Sequence, residues 1–60
     1  MANREVVETV RGKRGPVDVL KEGSVLGATK YWAHSQSNNE WKGPFSDYRD
    51  AFTAAQKMAG

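Results

Sequence analysis

The sequence predicts an α+β fold: a small antiparallel sheet of three to four strands, at about residues 5–11, 16–21, 25–34 and 41–45, with one C-terminal helix at about residues 47–59 packed on one face. Three observations carry this. The first half of the chain is rich in β-branched residues at alternating positions. Gly, Pro, Asn and Ser gather between those stretches, where turns require them. The last segment switches to an apolar repeat of three and four residues, the period of a helix.

In residues 5–11, Val6, Glu8 and Val10 share one face, and Val7, Thr9 and Arg11 share the other. Gly12 and Gly15 flank Lys13-Arg14, and alternation resumes at Pro16-Val17-Asp18-Val19-Leu20, so a hairpin with a basic pair at its tip is expected. Pro16 cannot donate to a ladder, which places it at a strand start or an edge. Lys21-Glu22-Gly23-Ser24 reads as the next turn. Residues 25–34 carry Leu26, Ala28, Lys30, Trp32 and His34 on one side and Val25, Gly27, Thr29, Tyr31 and Ala33 on the other, and neither side is cleanly apolar.

Ser35-Gln36-Ser37-Asn38-Asn39 is a polar turn before a short closing strand, in which Trp41 and Phe45 are expected on the same face with Gly43 between them. Ser46 is the expected N-cap of the helix; Asp47 and Asp50 suit its first turn and Lys57 its other end. Tyr48, Ala51, Phe52, Ala55 and Met58 form its apolar stripe.

Sixty residues without cysteine suit a single small domain over residues 1–60. A domain of this size buries only about 60% of the surface its unfolded chain exposes, so every large apolar side chain counts. The expected core is Val6, Val10, Val17, Val19, Trp41 and Phe45 with Tyr48, Phe52, Ala55 and Met58. One helix shields one face of a sheet, and the other face is left to water or a partner. Thr9, Arg11, Asp18 and Lys42 are expected there. Strand three adds either Lys30, Trp32 and His34 or, one residue out of step, Thr29 and Tyr31.

The order of elements over residues 5–58 resembles that of sheet-reading DNA-binding domains of the AP2 type and of the arm-binding domains of tyrosine integrases. Trp41-Lys42-Gly43-Pro44-Phe45-Ser46, followed by Ala51 and Ala54-Ala55, is similar to their strand-turn-helix passage. Such a likeness implies a sheet that lies on nucleic acid. The long basic strand those domains use is here a short loop.

The formal net charge is +2, and its one concentration is Arg11-Gly12-Lys13-Arg14-Gly15. Arg11, Lys13, Arg14 and Lys30 are candidates for phosphate or partner contact, and Tyr31 or Trp32 for stacking on bases or anchoring a protein interface. Solvated turn cations and core aromatics are the plain alternative for the same residues. Catalysis is not expected: His34 is the sole histidine and no nucleophile is paired with it. No cofactor or metal is expected either, since one His and scattered carboxylates match no ligand spacing.

The first expectation for function is a small non-enzymatic protein that docks on a larger protein through the open sheet face or an edge strand, as an inhibitor or regulator of the kind a mobile element encodes. The alternative is a nucleic-acid-binding module using the basic loop and the same face. Seven acids dispersed among nine bases favour the first. A homodimer through an edge strand, such as one beginning at Pro16, is a further expectation. The lack of cysteine, of a long apolar run and of a signal-peptide pattern suits a cytoplasmic protein.

Overall fold

A computed structural model describes residues 3–23 and 27–60. Four strands, β1 (Asn3–Val10), β2 (Val17–Gly23), β3 (Lys30–Ser35) and β4 (Trp41–Phe45), form one antiparallel sheet in the order β1-β2-β3-β4. Helix α1 (Tyr48–Ala59) packs against a single face of it, chiefly over β2 and β3. This is the α+β architecture read from the sequence. Among the described residues no helix is long and apolar enough to cross a membrane.

Strand three is shorter than expected. Val25 and Leu26 lie outside the described residues, and Gly27, at φ +87°, is in the left-handed region, which does not continue a strand. β2 pairs with both neighbours, so the strand after Pro16 is an inner one; the free edges belong to β1 and β4. α1 begins one residue later than expected: Asp47, not Ser46, is the N-cap, with extended backbone and no side-chain capping bond.

The side facing α1 is built from small residues. Val17, Val19 and Ala33 from the sheet meet Ala51, Ala55 and Ala59 of the helix, and all six are buried. Val10, Tyr31, Phe45, Phe52 and Met58 are packed around them. An alanine stripe lets the helix lie close to the sheet, so the opposing position on β3 has to be small as well. Ala33 meets that need where Trp32 would not, which fixes the face of β3.

Two expected core residues fall on the other face. Val6 pairs with Leu20, and the register shifts by one before Glu8 pairs with Val19. The extra residue, Val7, breaks the alternation, so Val6 faces away from α1 and is 52% exposed. A second shift lies between Tyr31↔Phe45 and Ala33↔Lys42. It separates Trp41 from Phe45: Phe45 faces the helix, while Trp41 pairs with His34 on the open face and is 41% exposed. By the same register Lys42, expected on the open face, lies on the side of Ala33.

The basic turn between β1 and β2 is fastened to the end of the helix. Gly15 N–H donates to Gly12 O at 3.1 Å and closes the turn, and Arg14 N–H donates to Ala59 O at 2.8 Å. The Ser37 hydroxyl donates to Arg14 O at 2.9 Å, so in its 3.1 Å contact with the buried Ser35 it is Ser35 that donates. A cationic turn at the negative end of a helix is electrostatically favourable.

Candidate functional site on the open sheet face

The open face is organised around one side chain from the start of β1. Arg4 pairs with Glu22 in register, and its Nε donates to Glu22 Oε1 at 2.7 Å. From there the guanidinium reaches across the sheet, 4.4 Å from the centroid of the Trp32 ring on β3 and 5.0 Å from that of Trp41 on β4. Both separations are within cation–π range. The Trp32 indole N–H donates to the same Glu22 oxygen at 3.0 Å, so one carboxylate orients both the cation and the ring it covers.

Trp41 is held from two further directions. It stands edge-on to Trp32, with centroids 6.2 Å apart, and His34 stacks on it at 4.2 Å. His34 Nε2 donates to Asn39 Oδ1 at 2.6 Å, which fixes the imidazole plane. Beneath this layer Leu20, between Val6 and Trp32 in the ladder, is only 8% exposed. The face is therefore a thin second apolar layer with a preset geometry.

The Arg4 hydrogen bond, helped by the Trp32 indole and the charges of Arg4 and Lys30, holds the Glu22 carboxyl below the usual carboxylate range, against the opposing effect of partial burial. A lowered folded-state pKa stabilises the fold fully above the ordinary carboxylate value of 4.5 and ceases to do so as the pH drops through the folded value. On acidification the wild type is thus expected to lose stability more steeply than Glu22→Gln. Urea midpoints taken from about pH 6 down to about pH 3 check this, and parallel curves for the two proteins would refute it.

At the lower end of the face, Asp18 accepts from the Thr9 hydroxyl at 2.9 Å and from Gln36 Nε2 at 2.9 and 3.0 Å. Thr9 and Gln36, with Arg11, Gly12, Gly15 and Pro16, line an open concavity of about 480 Å³ beside it.

The structure divides the six residues singled out in the sequence. Trp32 and Lys30 lie on the open face. Tyr31 lies on the helix side, half-buried and edge-on to Tyr48 with centroids 5.9 Å apart. Arg11 borders the concavity, and Lys13 and Arg14 are in the basic turn beyond it. His34, expected on this face in one of the two registers of strand three, completes the cluster with Arg4 and Trp41, neither of which the sequence places there. The Gly-Pro pair within the closing strand is the signal that could have moved Trp41, because such residues mark bulges and edges. Arg4 precedes the expected strand, and nothing in the sequence reveals its reach.

No protein-family model, curated protein or solved structure matches the chain.

Proposed function

We propose that this chain is a non-enzymatic binding protein that docks on a larger protein through its open sheet face, acting as a small inhibitor or regulator. The observation that carries this reading is the occupied state of the tryptophan faces: Arg4 lies over Trp32 and near Trp41, and His34 is stacked on Trp41. Nucleobase stacking needs a free ring face. Here Arg4 and His34 already cover the rings, and the preorganised apolar relief they form suits protein contact, where Trp and Arg anchors dominate the binding energy.

Charge supports the same reading. On the paired strands of this face Arg4 and Lys30 are matched by Asp18 and Glu22, leaving little net attraction for a polyanion. The basic turn favours the nucleic-acid alternative, since among the described residues the one ion pair is Arg4–Glu22 and Arg11, Lys13 and Arg14 have none. Lys13 and Arg14, however, belong to the turn fastened to the end of α1 rather than to the ring cluster, so phosphates held there would lack its stacking.

Affinity capture from lysate of the source cells, run beside DNA titrations at two salt concentrations, tests the proposal. One partner is expected to be retained by the wild type and by Lys13→Ala/Arg14→Ala. It should be lost on Trp41→Ala, with affinity lower by about tenfold or more, the usual loss for a central tryptophan. Circular dichroism is the check that Trp41→Ala remains folded, and an unchanged far-ultraviolet spectrum is expected. Capture undiminished in that variant, or salt-sensitive DNA binding that depends on Lys13 and Arg14, would overturn it.

A further inference from the structure

Resting on that docking face, we propose that its occupant is an acidic amphipathic helix of the partner protein, laid across the open face opposite α1. The first ground is that both sheet edges resist an added strand. β1 carries the Val7 bulge, and its Glu5 and Glu8 lie on one side of the ladder, paired with Lys21 and Val19. A second copy pairing antiparallel about Val6 and Val7 would set Glu5 against Glu8 of its mate, twice over, and like charges directly opposite one another are unfavourable. β4 has only five residues and includes Pro44, which has no N–H to donate. What remains is the face.

The second ground is charge. Both acids of the face are engaged internally: Glu22 accepts from Arg4 and Trp32, and Asp18 accepts from Thr9 and Gln36. At the two ends of this face stand cations that no ion pair among the described residues engages, Lys30 at one end of the ladder and Arg11 beyond the other. Lys30 stands beside a Glu22 already held by Arg4 and Trp32, and Arg11 at the near end of the basic turn, so each can take one further carboxylate. Between them lies the apolar relief of Val6, Trp32 and Trp41.

The third ground is length. Six ladder steps separate the level of Lys30 from that of Arg11, roughly 20 Å at the rise of a strand. A helix of about fourteen residues spans that distance, with room for one acid near each end and apolar residues at i, i+3, i+4 and i+7 between them. The far side of the same sheet already accepts a helix of comparable length, the twelve-residue α1.

Selection of random sixteen-residue peptides displayed on phage against the immobilised full chain tests this. The expected winners are rich in Glu and Asp toward both ends with a helical apolar period. As synthetic peptides they should bind at least tenfold more weakly to Trp41→Ala and to Lys30→Glu/Arg11→Glu, with the charge-reversed protein instead selecting Lys and Arg at those places. Winners that depend on Trp41 but are neutral, basic or strand-like in period would overturn the acidic helix while leaving the docking face intact. Binding insensitive to Trp41→Ala would overturn both. No enrichment, or displacement of the peptides by equal concentrations of oligonucleotide, likewise overturns the acidic helix.

Discussion

Gly12→Ala is expected to destabilise the fold by about 2–3 kcal/mol, a large share of the few kcal/mol that a core of this size supplies. A Cβ at this position would stand 2.3 Å from Ala59 O and 2.8 Å from Ala59 C. Those are backbone atoms at the end of α1 and cannot swing aside as a side chain does. Either the basic turn lifts, breaking Arg14 N–H···O=C Ala59 and the Ser37 bond to Arg14 O, or the last helical turn opens. Each lost hydrogen bond is worth about 1 kcal/mol net, and the displaced contacts add to that. For a domain this small the melting temperature should fall by roughly 10–20 °C. Gly23→Ala is the control: among the described residues nothing lies within 4 Å of its would-be Cβ, and stability should change little. Equal urea midpoints for Gly12→Ala and Gly23→Ala would show that the turn is not seated on the helix end as described.

That seat also explains why a turn bearing Lys13 and Arg14 belongs to the fold before it belongs to any site. Its backbone closes the C-terminal end of α1, and its cations lie where the helix dipole is negative. In the sequence the same stretch reads as a free, charged hairpin tip, because its partner is 45 residues away (Arg14 to Ala59) and long-range docking of a loop leaves no local signature.

The regular parts of the chain were legible for the converse reason. Helix periodicity and strand alternation are set by neighbouring residues, and the Ala51, Ala55 and Phe52 stripe and the Val17, Val19 face appear where the pattern puts them. Bulges are what alternation cannot register. One inserted residue at Val7 turned Val6 outward, and the irregularity opposite Trp32 turned Trp41 outward. Two residues of the candidate site, Val6 and Trp41, are displaced in this way, and a third, Arg4, depends on a reach across three neighbouring strands. The choice between Tyr31 and Trp32 was open to a packing argument: a helix that presents alanines approaches too closely for an indole, so its stripe of small residues calls for Ala33 and with it Tyr31 on that side.

Gly43→Ala is expected to strike the fold and the site together. Gly43 has φ +133°, a conformation that L residues rarely adopt, and an added Cβ would lie 2.9 Å from Trp32 Cε3 and 3.0 Å from Tyr31 O. Backbone strain alone costs on the order of 1–3 kcal/mol. The contact with the ring adds a directional consequence, because Trp32 cannot withdraw without loosening its N–H···Glu22 bond and its place beneath Arg4. The variant should therefore lose stability and also lose the near-ultraviolet circular dichroism of the packed tryptophans, with partner capture falling as it does for Trp41→Ala. A double-mutant cycle separates the two causes. In a Trp32→Leu background the ring is gone while the strain at position 43 and the contact with Tyr31 O remain, so the alanine should cost less there by about 0.5 kcal/mol or more. Strict additivity, or an unchanged aromatic spectrum in Gly43→Ala, would mean that this glycine serves only the backbone and that the tryptophan layer does not depend on the close approach of β4.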